Sequence, residues 1–349
     1  MAKKSKKGGK KKSNTIVKAV LHIAVLTAII TAVCYNIFFN QAFEREVNIR
    51  VTSETTYDEL VAQIHPSLRS KVHRIAFDFY AKRLNLEKRF RVGNYSYDDE
   101  NVIQIVRRLA LGDQTPVNLV IGEARTLPHL ADKLAAQIKP NSAEILAAMR
   151  SPKLRKELGF VKDSTIAMFI PNTYEVWWNT SPEQLLHRVK REYDRFWNAT
   201  RTAKLKRCRL SRYEVMTLAS IVYEETKTTS EMPTIAGVYI NRLRGGMRLQ
   251  ADPTVKYAIG DFGLKRILHK HLRHQSPYNT YINRGLPPAP ICIPSVAAID
   301  AVLNYEEHNY LFFCAHPDLN GRHVFARTLK EHNTNARKYA EALDRQKIK

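Results

Sequence analysis

The order of apolar and polar positions first separates one long apolar run from an amphipathic remainder. Residues 19–39 carry no full charge. At a rise of about 1.5 Å per residue, a helix of this length crosses a hydrocarbon core about 30 Å thick. The run therefore predicts a single transmembrane helix over 19–39. A cleaved signal peptide is the alternative, which the length of the run and the lack of a small-x-small cleavage site disfavour.

Beyond this run, helical and strand periods alternate along the chain. Helices are predicted over 56–65, 71–84, 98–110, 127–137, 142–150, 182–203, 212–226, 231–244 and 296–304. Strands are predicted over 44–52, 117–121 and 167–174, with a short strand after Val92 and a hairpin made by 310–316 and 323–328. A charged helix ends the chain, and no internal repeat is evident. The mixture predicts an α+β fold.

Breaks in the pattern divide the chain into five segments. These are a basic tail (1–18), the transmembrane helix (19–39), a small α+β module (40–121), a helical connection (122–160) and a second α+β domain (161–349).

The net charge of +23 is high for a chain of 349 residues. Many lysines precede the apolar run, and the positive-inside rule then places the N-terminus in the cytoplasm and the chain after about residue 40 outside. The basic body suits an anionic neighbour such as a membrane surface, a nucleic acid or an acidic cell-wall polymer. Nucleic acid is disfavoured because the body faces away from the cytoplasm.

Neither cysteine nor histidine spacing indicates a metal or a disulfide framework. The cysteines, at 34, 208, 292 and 314, show no CxxC pair. His269, His271 and His274 match neither HExxH nor a zinc finger, so they indicate a solvated basic face. No GxSxG motif supports a serine nucleophile. The sequence predicts neither a metal nor a cofactor.

One helix places a carboxylate beside an apolar face. The pattern from Ser211 to Glu214 is a capping box, which makes Ser211 the predicted N-cap. At about 100° per residue, Glu225 lies about 70° from the centre of the apolar face that follows, and Glu224 about 170° away. Glu224 is therefore expected to point to water and Glu225 along the edge of the core.

Two effects are expected to raise the pKa of Glu225. They are the apolar surroundings and the negative end of the helix dipole in its last turn. Periodicity alone leaves open a surface glutamate at a fraying helix end. Glycosidases commonly use two carboxylates, and Glu231, Asp252 and Asp261 are candidates for a second. A single acid suffices when the substrate supplies its own nucleophile.

Four long motifs in order carry a resemblance to a known family. They are LASIVYEET (218–226), AGVYINRLRGGMRLQADPTVKYAIG (236–260), SPYNTYINRGLPPAP (276–290) and HVFARTLKEHN (323–333). Together they resemble the YceG-like endolytic murein transglycosylases, over about residues 40–345. The family's acid matches Glu225. Its pattern usually carries a further acid where this chain has Tyr223, and the chain also departs from it around Gly122–Arg125.

The resemblance implies a membrane-anchored enzyme with a LysM-like module over 40–121. Such enzymes cut the MurNAc–GlcNAc bond of peptidoglycan without water, because the C6 hydroxyl of MurNAc attacks its own anomeric carbon and leaves a 1,6-anhydro end. Glu225 would act first as acid and then as base. Around the glycan cleft the resemblance places Asn172, Tyr174, Asn241, Arg242, Gln250, Asp252, Thr254, Tyr278, Asn279 and Tyr281.

The implied partners are peptidoglycan glycan strands and peptidoglycan synthases (penicillin-binding proteins), with no nucleic acid. The implied location is the cytoplasmic (inner) membrane, with one span and the catalytic domain on the extracytoplasmic side. The alternative is a scaffold that holds glycan without cutting it, which Tyr223 favours. Trp177 and Trp178 are interpreted as core residues rather than a sugar platform.

Overall fold

The computed structural model describes residues 7–160, 164–264 and 266–345. The chain forms two compact units. The first comprises the chain up to Val117 together with Trp177–Asn179, and the second comprises the remainder. Both units mix helices and strands, so the fold is α+β. The first six residues of the basic tail, and the expected start of the second domain at residue 161, lie outside the described residues.

The first unit is built on a two-stranded sheet and a few helices. Its elements are α1 (Lys7–Phe39), β1 (Val47–Val51), α2 (Tyr57–Ile64), α3 (Lys71–Arg83), β2 (Gly93–Tyr97) and α4 (Val102–Leu111). β1 and β2 run antiparallel with Ile49 opposite Tyr95. Both side chains are buried in one core with α2, α3 and α4.

Helix α1 contains the predicted apolar run. Its part from Thr15 to Phe39 is long and apolar enough to cross a membrane, and it begins four residues before the predicted span. The last turn differs from the rest because Ile37 is buried in the core of the first unit. The apolar helix therefore continues directly into the folded unit that follows.

The second unit contains most of the helices. Its elements are β3 (Val117–Ile121), α5 (Leu127–Ala135), α6 (Ser142–Arg150), α7 (Pro152–Leu158), β4 (Asn172–Val176), α8 (Pro182–Phe196), α9 (Ala199–Cys208), α10 (Arg212–Glu225), α11 (Met232–Arg244), α12 (Asp252–Ile259), α13 (His269–Leu272), α14 (Val296–Leu303), β5 (Phe312–Ala315), β6 (His323–Ala326) and α15 (Leu329–Arg345). β3 pairs with β4, and β5 pairs antiparallel with β6.

Helix α10 lies at the centre of this unit. It packs against α11, α12 and α14, and every residue from Val215 to Val222 is buried. A helix that is covered on several sides needs apolar or small residues around much of its circumference. The sequence Val-Met-Thr-Leu-Ala-Ser-Ile-Val meets that need, because its two hydroxyl groups donate to nearby carbonyl oxygens in the same helix.

Two predictions of local structure were wrong, and some helices were missed. The strand over 167–174 is replaced by a buried 3₁₀ helix at Ser164–Met168, followed by β4. The helix over 182–203 is broken, because Asn198 accepts a hydrogen bond from the Arg201 backbone and caps a new helix. Helices α7, α12 and α13 were not predicted. Pro253 lies in the first turn of α12, where proline fits.

The two tryptophans interpreted as core differ in exposure. Trp178 is buried, with the Arg50 guanidinium 5.8 Å from its ring centroid, whereas Trp177 is about half exposed. All four cysteines are free thiols.

Candidate active site

The predicted capping box starts the helix that carries the candidate acid. The Ser211 hydroxyl accepts a hydrogen bond from the Glu214 backbone at 3.2 Å. The Glu214 carboxylate accepts one from the Ser211 backbone at 2.8 Å. The pair satisfies N–H groups that have no partner within the helix. The helix ends at Glu225, eleven residues after Glu214 and just beyond its buried stretch.

Glu225 is held by a tyrosine of the next helix. The Tyr239 hydroxyl donates to Glu225 Oε1 at 2.6 Å. Tyr239 itself is 1% exposed, and its ring meets that of Phe313 edge-on, with centroids 5.8 Å apart. The carboxyl thus has a fixed partner on α11, and that partner is fixed in turn by β5.

The Glu225 carboxyl opens into a cavity of about 430 Å³. Helices α10 to α12, the loop around residue 281, the β5–β6 hairpin and α15 enclose it. Its lining residues are Glu225, Tyr239, Arg242, Leu249, Gln250, Asp252, Tyr281, Phe312, Phe313, Cys314, Ala315, His323, Leu329 and His332. Aromatic rings and hydroxyl, amide and carboxylate groups stand together there, as a sugar-binding site requires.

Burial raises the pKa of Glu225 to about 7. The hydrogen bond from Tyr239 opposes this rise, and the charge of Asp252 adds to it. Arg242 and Lys256 lower the pKa. A carboxyl group with a pKa near neutrality is well placed to give up a proton and take one back.

Glu224 behaves differently from its neighbour, although not as predicted. Instead of pointing to open water, its carboxylate forms an ion pair with Arg125, with Nη2 and Oε2 2.9 Å apart. The same guanidinium lies 5.1 Å from the ring centroid of Phe262. The prediction failed because helical phase cannot reveal a partner about one hundred residues away in the chain.

Asp252 is the member of the three second-acid candidates that lines the cavity. Its Oδ1 accepts a hydrogen bond of 2.6 Å from the Tyr281 hydroxyl. Glu231 lies outside the lining and pairs with His323, with its Oε2 3.2 Å from Nδ1. Asp261 is exposed and accepts from the Gly263 backbone.

Gln250 also lines the cavity, in a backbone conformation that only a minority of residues adopt. Its φ is +50°, in the left-handed region. Its backbone N–H donates to the Thr280 carbonyl at 3.2 Å. Among the substrate-binding residues expected from the sequence, the structure thus brings Gln250, Asp252 and Tyr281 together with Glu225, and Arg242 joins them.

Three other expected residues support the backbone instead. The Asn241 amide donates to the His308 and Tyr310 carbonyls at 2.7 and 3.1 Å. The fully buried Asn279 donates to the carbonyls of residues 272 and 274. Thr254, also fully buried, donates to the Ala251 carbonyl at 2.6 Å. With these groups satisfied, their place is in the walls of the site rather than its lining.

The remaining three lie elsewhere. Tyr174 is buried, and its hydroxyl donates to the Ile170 carbonyl at 2.7 Å. Asn172 is exposed, and its Oδ1 accepts from the next backbone N–H. Tyr278 packs on Tyr257, with ring centroids 4.7 Å apart. None of these three lines the cavity around Glu225.

Sequence reasoning missed several lining residues, above all Tyr239 and the aromatic pair of β5. Tyr239 lies inside the family motif over 236–260, yet its place in the helical period of α11 predicts a core residue. Phe312 and Phe313 belong to a hairpin with no local feature that points to the site.

Arg242 is 7% exposed and donates to the Leu311 and Leu249 carbonyls, each at 2.6 Å, so it ties the cavity walls together.

The histidines near residue 270 lie on and just after a short helix. Within the described ranges, no group of three or more histidine, cysteine, aspartate or glutamate side chains is arranged to hold a metal ion. His269 and His271 lie on the short helix α13.

Comparison with known proteins identifies the family of this chain. Residues 49–338 match the model of the YceG-like family. A solved relative is a YceG-like protein from Listeria monocytogenes, 29% identical, with a TM-score of 0.55; the match covers 83% of this chain and 99% of that one. The chain belongs to the YceG-like family.

Two curated relatives carry the name endolytic murein transglycosylase. The protein from Bacillus subtilis (strain 168) is 29% identical, and the match covers 84% of each chain. The protein from Streptococcus pneumoniae (strain D39) is 27% identical, and the match covers 77% of this chain and 54% of that protein.

Proposed function

We propose that this chain is a peptidoglycan lytic transglycosylase, a lyase that cuts glycan strands internally. The names of its relatives support the substrate and the reaction. The observation that carries the proposal is the Glu225 carboxyl, which faces a cavity and whose pKa burial raises to about 7.

In the first step, protonated Glu225 gives its proton to the glycosidic oxygen between MurNAc and GlcNAc. The bond from that oxygen to the anomeric carbon of MurNAc breaks, and GlcNAc leaves with a free hydroxyl group. Positive charge develops at the anomeric carbon and negative charge on Glu225, close enough to stabilise each other.

In the second step, the C6 hydroxyl of the same MurNAc attacks its anomeric carbon. Glu225, now a carboxylate, takes the hydroxyl proton and returns to its starting state. The product is a 1,6-anhydro end, and no water is consumed. One carboxyl group therefore completes the cycle.

Gln250, Asp252 and Tyr281 are the proposed substrate-binding residues nearest to the reaction. An amide and a carboxylate bond sugar hydroxyl and N-acetyl groups, and a tyrosine ring packs on a pyranose face. We also propose that Asn172, Tyr174, Asn241, Thr254, Tyr278 and Asn279 contribute to binding the glycan strand farther from the reacting bond, beyond the cavity around Glu225.

The apolar helix α1 supports an anchor in the cytoplasmic membrane. The lysines before it favour a cytoplasmic N-terminus and an extracytoplasmic catalytic unit. On that side the enzyme would meet nascent glycan strands, end their elongation, and work beside peptidoglycan synthases. We also propose that residues 40–121 form a LysM-like module, linked by 122–160 to a catalytic domain that extends to residue 349.

A non-catalytic scaffold is the second candidate, and Tyr223 is the residue that favours it. The Tyr223 ring carries the Lys227 ammonium 3.3 Å from its centroid. That contact lies on the exposed side of the helix end and leaves Glu225 bonded to Tyr239. The geometry therefore favours the enzyme.

The test incubates purified full-length protein, in detergent, with uncrosslinked glycan strands. Mass spectrometry should find 1,6-anhydro-MurNAc ends, and reaction in ¹⁸O-labelled water should put no label into the new ends. Folded protein that yields no anhydro product would leave the scaffold as the better account. Labelled reducing ends would show hydrolysis instead.

A further inference from the structure

The Glu225 carboxyl has two oxygens in different surroundings. Oε1 accepts the Tyr239 hydrogen bond at 2.6 Å. In the described parts of the chain, no other group donates to this carboxyl. Oε2 is therefore the oxygen left to face the cavity and its contents.

Tyr239 has little freedom to move away. It is 1% exposed, and its neighbours Val238 and Ile240 are buried in the same helix. The ring of Phe313 meets its ring at 89°. Because burial also raises the pKa of the Tyr239 hydroxyl well above its ordinary value, this group remains a proton donor at every pH at which the protein works.

We propose that Tyr239 is a positioning residue that holds Oε1 and makes Oε2 the oxygen that transfers the proton. The inference rests on the proposed function of Glu225. Oε2 gives its proton to the glycosidic oxygen as the bond to the anomeric carbon breaks. The Tyr239 O–H then stabilises the carboxylate through Oε1, and Oε2 takes the proton of the C6 hydroxyl as the anhydro bond forms.

Charged and hydrogen-bonding groups from several elements set the pKa of Glu225. Tyr239 and Arg242 face the carboxyl from α11, and Asp252 and Lys256 act from α12. Tyr281 faces it from the following loop and is bonded to Asp252. Tyr239, Arg242 and Lys256 favour the carboxylate, and Asp252 opposes it. Loss of the Tyr239 hydroxyl therefore raises the pKa of Glu225.

The Tyr239→Phe variant tests the proposal, because it keeps the ring and removes only the hydroxyl. We expect kcat at the pH optimum to fall about tenfold, with KM changed less than twofold. The alkaline limb of the pH–kcat profile should move up by about one to two pH units, the size expected for one hydrogen bond to a charged group. A titration of the Glu225 carboxyl by infrared difference spectroscopy, without substrate, should show the same shift.

Tyr95→Phe is the matched control. Tyr95 is also fully buried, its hydroxyl donates to the Arg91 carbonyl at 2.8 Å within the first unit, and it is not a lining residue of the cavity. The Tyr95→Phe variant should be less stable than wild type and should keep the wild-type pH–kcat profile.

The results for two variants distinguish a failure of the proposed function of Glu225 from a failure of the proposed role of Tyr239. If Glu225→Gln remains active, the proposed function of Glu225 fails. If Glu225→Gln is inactive, and Tyr239→Phe keeps both the wild-type kcat and the wild-type limb, the role of Tyr239 is overturned.

Discussion

The Tyr281 hydroxyl donates a hydrogen bond of 2.6 Å to Asp252 Oδ1, so the second carboxylate of the cavity is held as a hydrogen-bond acceptor. Glu225 has a tyrosine partner at the same distance. Burial raises the pKa of Glu225 to about 7, and the charge of Asp252 adds to the rise. Asp252 therefore helps to keep Glu225 protonated.

Asp252→Asn should lower the pKa of Glu225, because it removes the negative charge that opposes ionisation of that carboxyl. We expect the alkaline limb of the pH–kcat profile to move to lower pH, in the direction opposite to that of Tyr239→Phe. Asp261→Asn, in the exposed loop after α12, is the control and should keep the wild-type profile. A limb that moves upward in Asp252→Asn would contradict this account of the site.

Glu225→Gln and Glu224→Gln should have very different effects on activity. Loss of a general acid–base group costs about 10²- to 10⁴-fold in rate, so Glu225→Gln should produce almost no anhydro ends. Glu224→Gln removes only the ion pair with Arg125, which is partly exposed. It should keep most of the rate and lose about 1 kcal/mol of stability or less. The reverse pattern in product analysis would move the catalytic role to Glu224.

Glu225 should also make stability depend on pH. Its pKa is about 7 in the folded protein against an ordinary 4.5. The folded state thus holds more protons between these values, and its stability falls as pH rises from about 4.5 through about 7.

Glu225→Gln removes this dependence. From pH 4.5 to pH 8, its free energy of unfolding should therefore improve relative to wild type by about 3 kcal/mol. Urea unfolding at both pH values provides the measurement. An equal difference between the two proteins at both pH values would show that the Glu225 pKa is not raised.

Gly237→Ala should destabilise the second unit by about 1–3 kcal/mol through overpacking. A Cβ there would lie 2.4 Å from the Glu306 carbonyl oxygen and 2.6 Å from His308 Nε2. Gly122→Ala is the control, because a Cβ at Gly122 meets nothing within 4 Å. Thermal unfolding of the two variants compares them directly. Equal stability would mean that the chain around residue 306 yields without cost.

Local features of the fold were predictable wherever neighbouring residues carry the information. The Ser211–Glu214 capping box sets the start of α10, and the bounds of α6 and β3 agree with their predicted ranges. The break at Asn198 was missed because a single cap competes with an otherwise continuous helical period. Helix α12 was missed because Pro253 stands in its first turn, and proline both ends helices and begins them.

By itself, the sequence determined the family, the long apolar helix and the separation of Glu225 from Glu224. Each of these depends on short-range order: a motif, a run of apolar residues, or a helical phase of about 100° per residue. Only the tertiary structure decided that Tyr239 holds Glu225, that Arg125 takes Glu224, and that β5 closes the cavity. The physical reason is that these contacts join residues on different elements, and packing of whole helices and strands, rather than local spacing, brings their side chains together.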